Sequence, residues 1–238
     1  LTLPFIYLTL TRAKTIVVTS ERMIENSSLL KRFKGKIKII PYGLSPVVKT
    51  PSDARINRQY FVLVGRHVSY KGIDVAVSAL KDVDTHLVIA GDGPLFEQHK
   101  LLAQQLGVSD RVIFEKNATD DQVKSLIHGS IALIVPSVMH NEAFALVQLE
   151  AMRLKKPVIN TSLPSTVPMV ARHLKEGITI QPNDHQALAR AMLDMAADQK
   201  WASELGNNGY QRFIEQFTDR KFKKALDTLF EDLVVSKT

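Results

Sequence analysis

The feature that most restricts this chain is a regular alternation between residues 60 and 180. Short apolar runs at 60–65 (YFVLVG), 86–91 (HLVIAG), 111–115 (RVIFE), 131–135, 157–160 and 177–180 are separated by stretches of helical period. Helices are expected over 73–80, 95–106 and 120–128, with another opening near Ala143. Strands this short, spaced by helices of 10–15 residues, dictate right-handed βαβ units and an α/β fold with a parallel sheet and helices on both faces. In such sheets ligands sit outside the carboxyl ends of the strands. The loops that follow those ends are therefore where chemistry is expected.

The longest of these loops lies within residues 135–170, VPSVMHNEAFALVQLEAMRLKKPVINTSLPSTVPMV. Pro136 ends a strand, Asn141 is a good helix N-cap, and Glu142 would then place a carboxylate in the first turn, where the helix dipole favours it. The helix is expected to run past Met152 and to stop before Pro157. On one helix, Glu142 and Glu150 would stand ~12 Å apart along the axis and roughly 80° apart around it. A ligand with two polar ends could meet both. Helix chemistry alone offers the plainer reading of a dipole partner and a solvated surface glutamate.

Three other loops carry suggestive residues. GRHVSYKG, 65–72, brings Arg66 and Lys71 to one strand end between Gly65 and Gly72, and two cations there suit a diphosphate. GDGP, 91–94, contains G-x-G, but Phe96 stands where the third glycine of a dinucleotide fingerprint belongs, so that fingerprint fails. Asp92 in this loop either meets a ligand or caps the next helix. After RVIFE come Lys116, Asn117 and Ala118; Asn tolerates positive φ better than most residues, which keeps a tight loop available there.

Taken together these pieces resemble a known family. NEAFALVQLEAM is similar to the E-x-F/G-x-x-x-x-x-E helix of retaining, nucleotide-sugar-dependent glycosyltransferases of family four, which have the GT-B fold. NTSLPSTVP resembles the N-T-x-L-x-S-G-V-P loop of a bacterial surface-polysaccharide subgroup that includes mannosyltransferases. The resemblance spans about residues 13–215 and is strongest from 60 to 185. It implies that the chain is the C-terminal, Rossmann-like donor-binding half of a GT-B fold with a remnant of the N-terminal domain. It further implies that Arg66 and Lys71 hold the donor diphosphate, with Gly65 and Gly72 shaping their loop. Glu142 would face the transferred sugar and Glu150 the ribose hydroxyls. Asp92, Lys116 and Asn117 would lie beside the nucleotide, and the backbone N–H groups of Phe144, Ala145 and Leu146 would face the phosphates. The chain departs from the pattern at Asn117, Ala145 and Thr166, each of which replaces a glycine usual in the family.

The same resemblance divides the chain into an acceptor-side remnant (1–46), a linker (47–58), a nucleotide-sugar domain (59–215) and a C-terminal helix (216–238) that returns to the N-terminal domain. The chain does not begin with Met and opens in mid-pattern, so it reads as the later part of a longer protein. Within the remnant, a helix is expected over 3–11, a strand at 15–19, one helix from a Ser20 cap through Leu30, and a strand at 36–40. Helices over 188–197 and 201–213 should follow the sheet. A last helix carries an apolar stripe of Phe222, Leu226, Leu229, Phe230 and Leu233. That stripe and the apolar start, 1–10, are expected to lack their natural partner, a condition that promotes association.

Charge narrows the partners. Nine basic residues and two acidic ones lie in the first 50 positions, while the rest of the chain is balanced, so the whole surplus of +7 sits in the first fifth. The segment KRFKGKIK is either a lysine-protected edge strand or a surface drawn to anionic membrane. It lacks the aromatic interleaving of nucleic-acid binders, so no nucleic acid is expected. No run of about 18 apolar residues and no signal peptide occur, which points to a cytoplasmic protein, peripheral at the inner membrane face at most. Cysteine is absent and the seven histidines show no metal spacing, so no metal or cofactor is expected. His140 is noted because it adjoins Glu142. Asp82 and Asp84 form D-x-D, a manganese motif elsewhere, but precede a strand and read as a solvated turn.

The expected function is transfer of a hexose from a nucleotide diphosphate sugar to a lipid-linked or polysaccharide acceptor. GDP-mannose is favoured over UDP sugars. A non-catalytic nucleotide-sugar sensor and a basic module for membranes or nucleic acids stay open as other classes. Acceptor groups are expected from outside this chain, so it should bind donor yet turn over slowly.

Overall fold

A computed structural model of the protein describes residues 3–47, 56 and 58–235. The first part holds α1 (Leu3–Arg12), β1 (Ile16–Val18), α2 (Glu21–Glu25), α3 (Ser28–Lys31) and β2 (Ile37–Ile39), with β1 and β2 paired in parallel. The single helix expected from Ser20 to Leu30 is two pieces. Asn26 returns its side-chain amide to the Arg22 carbonyl at 2.9 Å, and the Ser27 hydroxyl accepts from Leu30 N–H at 3.2 Å, starting a second helix. Short polar side chains that bond the nearby backbone interrupt helices in this way. Ser20 precedes α2 but caps nothing with its side chain. Most of the expected linker (48–55 and 57) and positions 1, 2 and 236–238 of the expected terminal segments lie outside the described residues.

The second part is the parallel sheet that the alternation dictates. Its elements are β3 (Tyr60–Val64), α4 (Ile73–Ala79), β4 (His86–Ala90), α5 (Phe96–Gln105), β5 (Val112–Glu115), α6 (Asp120–Gly129), β6 (Leu133–Val135), α7 (Val147–Arg153), β7 (Val158–Thr161), α8 (Val167–Val170), β8 (Gly177–Ile180), α9 (His185–Ala197), α10 (Gln199–Gln216) and α11 (Asp219–Val235). Strand order is β5-β4-β3-β6-β7-β8, every neighbouring pair parallel. The chain builds from β3 to one edge, returns to the centre at β6, and then builds to the other edge. The order therefore reverses between β3 and β6, where open α/β sheets form a crevice.

Neighbouring residues of β3 feed opposite layers of the core. Phe61 and Leu63 pack with α4 and α9, while Tyr60 and Val62 pack with α6 and α7. All four are buried, which is why the run reads as continuously apolar. α9 and α10 begin earlier than expected because Asp184 and Asp198 accept from Ala187 and Trp201 N–H at 2.7 and 2.8 Å. The first part is tied to the second at Leu44, which exchanges backbone hydrogen bonds with Phe217 and Asp219, each 2.9 Å long.

The helix expected from Ala143 starts at Val147, with Leu146 in its cap position. Ala145 lies in the left-handed region at φ 56, and the Ala143 carbonyl, which Val147 N–H would need, accepts from Thr166 N–H at 3.0 Å. Asn141 is thus an exposed loop residue rather than an N-cap, and Glu142 belongs to the loop. Glu150 is the acid in the first turn, so the separation derived from a shared helix does not apply.

Candidate functional site

The crevice between β3 and β6 is closed by two loops laced together. Val138 N–H donates to the Tyr70 carbonyl at 2.9 Å, and Gly72 sits at φ 65 with the Pro136 carbonyl 2.1 Å from where a Cβ would be. Only glycine fits both the left-handed backbone and this approach. Across the junction Lys71 Nζ meets Glu142 Oε2 at 2.5 Å, and the Ser137 hydroxyl donates to the same oxygen at 3.0 Å. The two side chains are 17% and 10% exposed, enough to reach a ligand and dry enough for the pair to be strong. Gly65 gives the lysine its path: a Cβ there would lie 3.4 Å from Lys71 Cε. Arg66 is exposed on the same loop and, among the described residues, has no carboxylate partner.

Backbone donors complete this side. No acceptor among the described residues pairs with the N–H groups of Phe144, Ala145 or Leu146, which lead into α7. The Phe144 ring is buried against Tyr42 (centroids 5.2 Å) and Phe217 (6.3 Å), anchoring the loop while its backbone stays available. Glu150, in the first turn, forms an ion pair with Arg153, whose other guanidinium nitrogen donates to the Ser45 carbonyl at 3.1 Å.

At the ends of β4 and β5 the remaining expected residues form a second pair. Asp92 Oδ1 accepts from Gly93 N–H at 2.7 Å and lies 3.4 Å from Lys116 Nζ. The Gly93 N–H, then Lys116, hold its carboxyl below the usual value. Asp92 does not cap α5, whose cap position is Leu95. Asn117 is exposed and stays out of the left-handed region, so the tight turn allowed for it is not used. His140 is exposed, as are Asp82 and Asp84 in the turn before β4. Among the described residues no group of three or more His, Asp or Glu is placed to hold a metal ion.

Several positioning contacts have no counterpart among the sequence expectations. Asn160, fully buried at the end of β7, donates to Gln148 Oε1 at 2.9 Å and to the Ala171 carbonyl at 2.8 Å, and accepts from Thr179 Oγ1 at 2.8 Å. Gln148 in turn donates to the Phe144 carbonyl at 3.1 Å, which fixes the loop that carries Glu142. Thr166 Oγ1 lies 3.0 Å from Thr19 Oγ1 and 2.8 Å from Ser20 Oγ, so the first part of the chain grips the same loop through a hydroxyl. His67, beside Arg66, is buried with Nδ1 2.9 Å from His99 Nδ1. Burial, and then the charge of His99, push His67 down to about 4; burial also lowers His99. The sequence signal for Asn160 and Gln148 is a polar residue on a face otherwise apolar; the histidine pair is 32 positions apart and left none.

Comparison with known proteins bears on this arrangement. The family model described as glycosyl transferases group 1 matches residues 49–212. The chain is similar to an O-antigen chain mannosyltransferase C of Escherichia coli, at 29% identity over 94% of this chain and 62% of that protein. It is also similar to a D-rhamnosyltransferase of Pseudomonas aeruginosa, at 29% identity over 85% of this chain and 55% of that one. It thus spans little more than half the length of these relatives. Among solved structures, a sucrose-phosphate synthase from Thermosynechococcus elongatus superposes with TM-score 0.86 at 27% identity, covering 97% of this chain and 61% of the other. Anabaena HepE in complex with UDP shares the fold, with TM-score 0.82 at 20% identity over 94% of this chain and 65% of that one.

Proposed function

The chain belongs to the glycosyl transferases group 1 family, and we propose that it supplies the donor side of a retaining hexosyl transfer from a nucleotide diphosphate sugar. The observation that carries this reading is the Lys71–Glu142 pair at the strand-order reversal, with exposed Arg66 on the same loop. Two cations and the N–H groups of Phe144, Ala145 and Leu146 answer a diphosphate, and a carboxylate beside them answers the hydroxyls of a sugar. In the reaction the bond from the anomeric carbon to the diphosphate oxygen breaks, a bond to an acceptor hydroxyl oxygen forms on the same face, and the hydroxyl proton passes to the departing diphosphate. Arg66 and Lys71 stabilise the charge that grows on the leaving diphosphate, so no metal is required. Glu142 holds the sugar, Glu150 the ribose hydroxyls, and Asp92, Lys116 and Asn117 border the base. Gly65 and Gly72 shape the donor loop, the first by leaving Lys71 its path and the second by letting the two loops meet.

Mannose carried on GDP is the favoured donor, a choice supported by the mannosyltransferase among the relatives. A UDP sugar is the competitor, and HepE, which shares the fold, binds UDP. The acceptor is a lipid-linked or polysaccharide glycan met at the membrane surface. The test is calorimetric titration with GDP, UDP and ADP of the wild type, Lys71→Ala and Glu150→Ala. Selective binding lost in both variants is expected and names the base. Binding that both variants leave intact would move the donor site elsewhere.

A further inference from the structure

A cavity outside the proposed donor site lies at the amino-terminal edge of the sheet. It has a volume of about 570 Å³, and Gln59, Ile131 and Pro157, the residues leading into β3, β6 and β7, form its floor. Five-residue β3 separates this edge from the proposed donor site by roughly 16 Å. The two are distinct places, and neither reading depends on the other.

Three cations line the cavity: Arg58, Lys155 and Lys156. Among the described residues, no carboxylate lines it and none forms an ion pair with any of the three. Arg58 Nη1 lies 3.0 Å from His86 Nε2, which leaves the other donors of its guanidinium uncommitted to that contact. Lys155 holds its backbone at φ 58, a conformation that costs any residue with a Cβ, and its ammonium stands 5.1 Å from the Tyr210 ring centroid. Lys156 is half-buried, and burial lowers its pKa, the mark of a cation short of compensation. The left-handed Lys155 is the ordinary end of α7, its N–H donating to the Met152 carbonyl and that of Lys156 to the Ala151 carbonyl; the like charges gathered beside it without a counter-charge are what destabilise the fold and call for an anion.

We propose that this cavity binds a small phosphate-bearing anion. Its concavity and volume suit a small molecule rather than a flat surface. The Gln199 amide and the Ser203 hydroxyl supply polar contacts beside the cations. A phosphate group offers each cation an oxygen, and a second phosphate would span the three of them.

The experiment titrates inorganic pyrophosphate into the wild type, Lys71→Ala, Lys156→Gln and Lys155→Gly, following heat and backbone amide shifts. Shifts are expected at residues 129–131, 155–157 and 199–203, apart from those of pyrophosphate taken up in the donor crevice; the affinity that these residues report should be at least tenfold weaker in Lys156→Gln and the same in Lys71→Ala, which weakens the crevice binding alone. Lys155→Gly guards against a trivial loss of fold, because glycine relaxes the backbone; it should melt higher than the wild type while binding pyrophosphate several-fold more weakly. Shifts at these residues that titrate in both cavity variants as they do in the wild type would overturn the proposal. So would binding that vanishes in Lys71→Ala, since that locates the anion in the donor crevice alone.

Discussion

Lys71 can serve one anion at a time. Its ammonium is paired with Glu142, so a diphosphate that draws on Lys71 must compete with that carboxylate. Two substitutions in one ion pair should therefore act in opposite directions. Lys71→Met removes a charge-assisted contact of about 1.5–3 kcal/mol, so nucleoside diphosphate affinity should fall about tenfold or more. Glu142→Gln keeps the shape and a hydroxyl acceptor for Ser137 but frees the lysine, so calorimetry should show equal or tighter binding of the same nucleotide. Weaker binding in both would mean that the pair acts as a unit in holding the loop. Ala145 offers a separate test. A Cβ at φ 56 costs about 1 kcal/mol or somewhat more, and the extra freedom of glycine in the unfolded chain offsets part of any relief. Ala145→Gly should gain a net of about 0.5–1 kcal/mol and raise Tm by about 1–4 °C. A lower Tm would show that the methyl packs for more than the strain it causes. This backbone also explains why a glycine suits that position: the requirement is conformational before it is a matter of room for phosphate.

Between elements, the polar contacts decide how the site is held. Asn160 joins α7, β7, the residue after α8, and β8, and Asn160→Leu would strand the Ala171 carbonyl, Gln148 and Thr179 together. Unsatisfied buried groups cost about 1–3 kcal/mol each, so denaturant titration should show a loss of about 2–5 kcal/mol. A loss below 1 kcal/mol would mean that water or rearrangement replaces the network. The His67–His99 contact couples the loop of Arg66 to α5, and it makes stability depend on pH. Both histidines titrate lower in the folded chain than the ordinary 6.5, His67 near 4, so the unfolded chain binds more protons in between. Their stabilisation is complete above about pH 6.5 and is lost as pH falls toward 4. The denaturation midpoint should drop across that window, and replacing both, as His67→Phe with His99→Leu, should flatten the slope. An unchanged slope would assign it to other groups. At this scale the sequence was partly legible. Strand runs and their following loops were readable because parallel strands buried on both faces must be apolar throughout. The start of α7 was not, because the choice was made by Thr166 taking the Ala143 carbonyl, a tertiary contact with no local signature. Lys71 and Glu142 were each recognisable as chemical residues, but their meeting follows from the reversal of strand order, which periodicity does not encode.

At the scale of the whole molecule the asymmetry of charge meets an asymmetry of apolar surface. The basic surplus lies in the same first fifth of the sequence as α1, which leaves Phe5 71% exposed and Ile6, Tyr7 and Leu8 nearly half exposed. The helix is held in place from below: Tyr7 packs on Phe33 with centroids 5.5 Å apart, and Lys36 Nζ donates to the Thr11 and Ala13 carbonyls at 2.6 and 3.0 Å. Its apolar residues are thus presented on a fixed frame, with Lys36 at its carboxyl end. No helix of the described residues is long and apolar enough to cross a membrane, so contact with a bilayer through this face would be lateral. Anionic lipid attracts each nearby Lys or Arg by about 1 kcal/mol, and salt screens that attraction over about 10 Å at 0.1 M. Apolar burial is much less sensitive to salt, so the two contributions can be separated. In vesicle co-sedimentation the chain should bind anionic vesicles at low salt, ignore neutral ones, and release as salt approaches about 0.5 M, where the screening length falls to a few ångströms. Phe5→Ser with Ile6→Ser should weaken binding even at low salt, while Lys34→Gln with Lys38→Gln should chiefly reduce its salt dependence. If the serine pair changes nothing and the lysine pair abolishes binding, α1 is a bystander to a purely electrostatic surface. If neither matters, this face meets protein, and the exposed Phe230 of α11 becomes the next position to change.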